Sequence, residues 1–147
     1  MGRGYSTNAI VLGSVKLGEA DRIVTLFTPD RGRVPTVVKG IRKIKSRFGG
    51  RLEPFSHLDV RLHEGRNLHT LTGADTIKTY ASVRDRADCL KASLSFVNLL
   101  NRATPELEKR PRTFNLVKKF LESMDSTSGG STGSATLLSL AAQLKFI

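Results

Sequence analysis

The spacing of apolar side chains changes once along this chain, near residue 80, and that change most limits the available folds. Before it, short runs rich in β-branched and aromatic residues alternate with turn residues, as is typical of β-strands. After it, apolar residues recur about every 3.6 positions, the period of an α-helix. Because strands and helices occupy separate segments, the sequence predicts an α+β protein.

Five strand signals fall in the first 80 residues, joined by short connections. They cover residues 9–15, 22–28, 33–39, 58–63 and 68–77. Turn residues at 29–32 and 64–67 separate neighbouring strands, and Gly73 predicts a bulge. Five short antiparallel strands must cover their edges, and closure into a small barrel does so. We predict an OB-type barrel over residues 1–80, although an SH3-like barrel fits the same pattern.

The helical signals after residue 80 predict two amphipathic helices. Ser82 and Asp85 indicate a capping box, and the first helix is expected to end at Thr104. Its inner face is predicted to carry Ala87, Leu90, Leu94 and Val97. Pro111 suits the first turn of the second helix. The inner face there is predicted to carry Phe114, Val117, Leu121 and Met124.

The last residues of the sequence predict an incomplete helical domain over 81–147. A Ser/Thr/Gly tract at 125–134 is typical of a flexible loop. Residues 135–147 are apolar on nearly all sides, and a helix of that kind must be buried all round. This segment therefore packs against a partner, or the polypeptide is a fragment; we favour the fragment.

Positive charge is concentrated in one segment. Lys and Arg number 24 against 13 Asp and Glu, a net charge of +11, and residues 31–51 hold eight basic residues and no acid. Because most of this run lies between two strand signals, we expect a loop that lays cations along a phosphate backbone. Phe48 is expected either to stack on an unpaired base or to plug the barrel. The candidate nucleic-acid-binding residues are Arg33, Lys39, Arg42, Lys43, Lys45, Arg47, Phe48 and Arg51. The alternative is a basic loop that only keeps the protein soluble.

Other patterns argue against catalysis and metal binding. The single cysteine, Cys89, excludes a disulfide framework and is expected to be a packed thiol. The glycines of residues 13–18 are followed by Glu19 and Ala20 instead of the Lys and Ser/Thr of a phosphate-binding loop. Glu19 and Asp21 are expected to form ion pairs rather than an acid–base pair.

Three histidines, His57, His63 and His69, are six residues apart, too far along one strand to share a metal ion. We therefore expect no enzyme activity, no cofactor and no metal. No apolar run approaches the roughly 18 residues that a membrane span needs, and no signal peptide is recognisable. A cytoplasmic protein is expected, without membrane contact.

An ordered set of motifs resembles the bacterial RecO family of recombination-repair proteins. The motifs are residues 17–26, Arg31-Gly32-Arg33, Val38-Lys39-Gly40-Ile41-Arg42 and residues 45–55. The most specific stretch is Ser-Arg-Phe-Gly-Gly-Arg-Leu-Glu-Pro-Phe at 46–55. The match is dense from residue 8 to residue 77 and looser through the helices.

The resemblance implies an N-terminal OB-fold followed by a helical domain, and a non-enzymatic mediator of the RecF pathway. It implies binding of single- and double-stranded DNA, strand annealing, nucleoid association, and help in loading RecA onto strands coated by single-strand-binding protein. RecR and the C-terminal tail of that coating protein are the implied partners. The family's DNA surface corresponds here to Lys39, Arg42, Lys43, Lys45, Arg47 and Arg51.

The sequence departs from the family pattern in length. Family members are usually considerably longer, and many carry a cysteine-rich zinc module after the helices, which is absent from these 147 residues. Two other functions fit the same charge and strand pattern. One is an RNA-binding OB-fold protein, and the other is a protein-interaction module whose basic loop docks an acidic tail.

Overall fold

Five β-strands form a closed barrel in the computed structural model, which describes residues 3–40 and 52–126. The strands are β1 (Gly4–Leu17), β2 (Asp21–Thr28), β3 (Gly32–Val38), β4 (His57–His63) and β5 (His69–Lys78). Their order around the barrel is β1-β2-β3-β5-β4, with β4 pairing back to β1. Only β3 and β5 are parallel. This connectivity is that of an OB-fold, so the predicted fold class and barrel type are confirmed.

Alternation along each strand fills the barrel interior. In β4, Leu58, Val60 and Leu62 are buried while the residues between them are exposed. The corresponding residues of the other strands complete this core, which comprises Ala9, Val11, Val24, Leu26, Val34, Val38, Leu52, Leu58, Val60, Leu62, Leu71 and Ala74. The interior is therefore packed with small and branched side chains and is not a channel.

Three irregularities in register occur among the described strands; one lies at the start of β4, between His57 and Leu58, and the other two concern the predicted bulge and the core. The bulge predicted at Gly73 is confirmed, because Arg61 pairs with Gly73 while the next residue, Leu62, pairs with Leu71. A second shift lies in β1 between Val11 and Gly13 and was not predicted. At this second shift, both Val11 and Leu12 are buried, one in the barrel core and the other in a second core outside it. Strand β1 also begins at Gly4, five residues before its predicted start.

Three helices follow the barrel: α1 (Ala81–Asp85), α2 (Ala87–Ala103) and α3 (Pro111–Ser126). The predicted capping box is wrong, because the residue before α1 is Tyr80, which makes no side-chain cap. Ser82 lies inside the helix, where its hydroxyl donates to the main-chain oxygen of Asp125 at 3.1 Å and contacts the Asp125 carboxylate. An extended backbone at Arg86 separates α1 from α2, where a single helix was expected.

The predicted inner face of α2 is only partly right. Val97 is buried and Leu90 half-buried, but Ala87 is exposed and Leu94 is 48% exposed. The observed inner face is Cys89, Ser93, Phe96, Val97 and Leu100. Its anchor is Phe96, whose ring stacks on Phe120 of α3 with centroids 4.3 Å apart. In α3 the predicted start and all four predicted inner residues are confirmed.

A second core joins the helices to the outer surface of the barrel. Ile10, Leu12, Phe27 and Phe55 from the barrel side share this cluster with the inner residues of α2 and α3. The rings of Phe27 and Phe114 stack with centroids 6.5 Å apart. The boundary predicted at residue 80 falls in the chain between β5 and α1. The predicted segment at 135–147 lies outside the described residues, and no helix among those described is long and apolar enough to cross a membrane.

Candidate nucleic-acid interface

The basic segment leaves the barrel at the end of β3, where a specific contact fixes its first residues. Lys39 follows β3 and its side chain is exposed. Gly40 adopts a φ of 69° in the turn, and its N–H donates to Oδ1 of Asp21 at 2.7 Å. This hydrogen bond ties the exit of β3 to the start of β2. Asp21 therefore has a structural role at the root of the segment, and the ion pair predicted for it with Arg22 or the basic loop stays a prediction.

The segment rejoins the barrel through buried residues. Leu52 enters the barrel core, while Phe55, with a φ of 71°, enters the second core. The guanidinium of Arg84 donates to the carbonyl of Pro54 at 2.7 Å, which holds this return segment against α1. Packing and this hydrogen bond thus explain why Leu52, Pro54 and Phe55 end the motif at 46–55. Both flanks of residues 41–51 are fixed to the barrel.

Most of the predicted binding residues belong to the part of the chain between these two anchors. Arg42, Lys43, Lys45, Arg47, Phe48 and Arg51 lie outside the described residues, so their role stays a prediction. Of the predicted set, the described structure places two. Lys39 presents its ammonium group to solvent at the root of the segment, whereas Arg33 is half-buried.

Arg33 holds the connection between α2 and α3. Its Nε donates to the carbonyl of Thr104 at 2.9 Å and contacts the Thr104 hydroxyl at 3.2 Å, and its Nη2 also contacts that carbonyl. The main chain of β3 joins in, since the N–H of Leu107 donates to the Arg33 carbonyl at 2.9 Å. The nucleic-acid contact predicted for Arg33 stays a prediction, but its guanidinium already bonds the end of α2.

Arg31, counted in the basic run, is partly neutralised. Its Nη1 lies 3.4 Å from Oε1 of Glu64, and its guanidinium lies 4.0 Å above the ring of Tyr5. The Tyr5 hydroxyl forms a 2.6 Å hydrogen bond with Nδ1 of His69. Burial raises the pKa of Tyr5 to about 12 and lowers the pKa of His69. This cluster joins β1, β5 and two loops at one end of the barrel. Arg31 therefore has a structural role, although the sequence counted it among the basic residues of the nucleic-acid-binding run.

Two further cations lie together beside the basic segment. Lys16 and Arg22 are directly opposite each other across the β1–β2 pair. The Lys16 side chain is exposed, and Nε of Arg22 is buried with no hydrogen-bond partner among the described residues. Like charges facing each other across two strands repel, so this pair favours an anion nearby. Sequence reasoning missed it, although the two residues are equidistant from the turn at 18–20.

The strands β4 and β5 carry charges of both signs. Asp59 of β4 faces Asp75 of β5, and Asp75 forms a 3.0 Å ion pair with Arg61. Arg61 and Lys78 balance these two acids, so these strands are not an acidic surface.

The histidines and the cysteine have structural surroundings. His57 is buried against Phe114, with ring centroids 5.9 Å apart, and burial is the main cause of its lowered pKa. Cys89 is buried as predicted, its Sγ 3.7 Å from the carbonyl of Met124, and burial raises the pKa of its thiol. Within residues 3–40 and 52–126 no three His, Cys, Asp or Glu side chains are grouped to hold a metal ion.

Comparison with known proteins agrees with the barrel. A family model described as recombination protein O, N terminal, matches residues 1–80. The chain belongs to the RecO family. The resemblance predicted from the motifs of residues 17–55 is thus confirmed.

Two curated RecO relatives show how far the similarity extends. The DNA repair protein RecO of Rubrobacter xylanophilus is 40% identical over 126 residues, which cover 86% of this chain and 50% of the relative. The DNA repair protein RecO of a Nocardioides species is 60% identical over 77 residues, or 52% of this chain and 32% of the relative. The chain spans half or less of the length of these RecO proteins.

Proposed function

We propose that this RecO-family chain binds single- and double-stranded DNA in recombinational repair, anneals complementary strands, and assists RecA loading together with RecR. Both relatives described above are named DNA repair proteins. The proposed role is one of binding rather than catalysis. In this role DNA is held through its phosphates, and bases are not read in sequence.

The observation that carries the proposal is the attachment of a basic segment to an OB barrel. The strands and loops of OB-folds are a common surface for oligonucleotides. Lys39 is exposed at the root of the segment, and Asp21 and Leu52 fix its two flanks to the barrel. Cations held in this way neutralise phosphates on two strands at once. The repulsion between the strands falls, and their bases can pair.

The test compares the salt dependence of DNA binding in two triple variants. Lys43→Ala/Lys45→Ala/Arg47→Ala removes three cations of the basic segment, and Lys91→Ala/Lys109→Ala/Lys119→Ala removes three exposed cations of the helical part. Fluorescence anisotropy with a labelled single strand gives the slope of log affinity against log salt. Each lost phosphate contact lowers that slope by about 0.7. We expect a loss of about two in the first variant and little change in the second.

The same variants test annealing. Pairing of two labelled complementary strands is expected to slow sharply with added salt in the wild type and to become slow and salt-insensitive in the basic-segment variant. Equal effects of the two triple variants would contradict the proposal, because general charge would then explain binding. Competition with RNA of the same sequence separates DNA from RNA, and preferential binding of RNA would favour an RNA-binding OB-fold protein.

We also propose RecR and the acidic C-terminal tail of single-strand-binding protein as partners, on the basis of family membership. For the tail, anisotropy with a labelled peptide in the two triple variants locates the binding surface. Loss of binding only in the helix variant supports a site on the helical part. Loss only in the basic-segment variant would instead indicate a module whose loop docks acidic tails.

A further inference from the structure

A surface depression of about 230 Å³ lies where β1 and β2 meet the C-terminal end of α2. It is lined by Leu12, Gly13, Ser14, Val15, Ile23, Thr25 and Asn101. Pockets for drug-sized ligands measure roughly 300–1,000 Å³, so this one suits a single small ring system. Its lining combines aliphatic side chains with two hydroxyls and one amide.

The depression continues into an exposed apolar surface on the same strands. Leu12 is 3% exposed because the helices cover it, but the helices do not reach Val15, three residues further along β1, which is 61% exposed. Leu17, at 38% exposed, follows. Val15 pairs directly with Ile23, so both side chains lie on the same outer face. Val15, Leu17 and Ile23 therefore form one contiguous apolar patch beside the depression, and a contiguous exposed apolar patch marks a contact site.

Two cations lie on the same side as this surface. Arg102 is exposed and follows Asn101 in α2. Ile23 pairs with Val37, and Lys39, two residues after Val37, lies on the same outer face. Lys16 and Arg22 alternate with Val15 and Ile23 and therefore point to the opposite face of the strands. Neither Arg102 nor Lys39 takes part in an ion pair between described residues. Of the two acids in the adjoining turn, Asp21 already accepts the Gly40 N–H.

An apolar depression with two exposed cations, Lys39 and Arg102, on its side matches the chemistry of a polynucleotide single strand. We propose that this depression receives one unpaired base of a single strand while the flanking cations hold the adjacent phosphates; the inference rests on the DNA binding proposed above. A duplex cannot place a paired base there, because its bases face each other. The Asn101 amide both donates and accepts hydrogen bonds, so it can pair with an edge of any base. The site therefore distinguishes single strands from duplexes without reading sequence.

Gly13 provides a direct test, because a side chain there fills the depression without changing any charge. A Cβ added at Gly13 meets nothing within 4 Å, and its φ is not in the left-handed region. Gly13→Val is therefore expected to fold. Gly4→Val is the matched control in the same strand, where a Cβ makes only an ordinary contact at 3.9 Å with the carbonyl of Leu62. Urea unfolding of both variants verifies that they are folded.

Three labelled probes of equal length separate base contacts from phosphate contacts: a single strand, a duplex, and a strand of abasic sites. We expect Gly13→Val to lower affinity for the single strand about five- to tenfold, the lower range for one base contact. Affinities for the duplex and the abasic strand stay unchanged, and Gly4→Val changes none of the three. Val15→Ser is expected to act in the same direction as Gly13→Val, whereas Ile77→Ser, an exposed apolar residue on β5, is expected to have no effect.

Unchanged single-strand affinity in Gly13→Val, or an equal loss for all three probes, would overturn the inference. If the basic-segment variant still loses affinity in that case, the proposed function stands. If the wild type binds none of the probes, the proposed function itself fails. Analytical ultracentrifugation tests whether a second copy of the chain occupies this surface instead. A wild-type dimer that dissociates in Gly13→Val would show that it does, and would overturn the inference.

Discussion

Gly32 and Arg33, two neighbouring residues at the start of β3, attach the helical part to the barrel in different ways. Arg33 uses its guanidinium to bond the C-terminal end of α2 at Thr104. Gly32 has a φ of 65°, and the carbonyl of Glu108 lies where a Cβ would stand. The backbone of the α2–α3 connection therefore approaches β3 as closely as a residue without a side chain allows.

We predict that Gly32→Ala destabilises the protein considerably more than Gly18→Ala. Both glycines have a φ near 65°, which costs alanine about 1–2 kcal/mol, but only at Gly32 does the new methyl group collide with main chain. Overpacking of that kind adds about 1–3 kcal/mol. Urea unfolding of the two variants measures the difference. Equal losses of unfolding free energy would show that the α2–α3 connection moves aside freely.

At the scale of elements, α2 shows two overlapping apolar stripes, which share Val97 and of which only one is fully buried. Leu90, Leu94 and Val97 form the stripe that the helical period favours, yet the buried side centres on Phe96 and Leu100. The sequence therefore predicted the helical period of α2 correctly but placed the buried face at the wrong angle around the helix. Ser93 is polar and Cys89 is small, so these two residues weaken the apolar signal of the buried stripe, while the exposed Leu94 strengthens that of the other.

We predict that Phe96→Ala lowers the free energy of unfolding by about 3–5 kcal/mol, since it removes a fully buried ring stacked on Phe120. Leu94→Ala is expected to change it by less than about 0.5 kcal/mol, because the side chain is half exposed and alanine favours helices. Chemical denaturation monitored by circular dichroism compares the two. A large loss in Leu94→Ala would mean that this face is covered in solution.

The whole molecule depends on the second core, where barrel and helices share buried side chains. His57 lies in that contact, at the start of β4 and against Phe114 of α3. Burial lowers its pKa, Lys118 lowers it further, and Glu122 opposes the shift. Burial is also the main cause of the lowered pKa of His69, at the other end of the barrel. Both histidines are therefore neutral in the folded state over a range where the unfolded chain binds protons.

We predict that the protein is most stable above pH 6.5, the usual pKa of histidine, and loses stability as the pH falls below it towards the lowered folded values. The unfolded state binds more protons in that range, so each such histidine changes the free energy of unfolding by at most about 1.4 kcal/mol per pH unit. Urea unfolding between pH 7.5 and 5.5 measures the slope. His57→Gln and His69→Gln are each expected to reduce it. A flat profile in the wild type would contradict the burial of both rings.

Several features followed from the sequence alone. The alternation in residues 58–63, the turn at 29–32 and the bulge at Gly73 indicated the strands, and five short strands must close to cover their edges. The start of α3 at Pro111 and its buried face were equally readable, since a strong period leaves one solution. The concentration of basic residues in one segment needed only counting.

Other features were decided by tertiary structure, because they depend on which distant groups come together. Arg31 and Arg33 look alike in a charge count, but Glu64 neutralises the first and Thr104 bonds the second. Lys16 and Arg22 become neighbours only through the β1–β2 register, and the depression on the other face of these strands exists because the helices stop short of Val15. Sequence patterns record local preference and burial period, whereas the electrostatic state of a side chain and the shape of a surface depend on contacts between residues far apart in the chain.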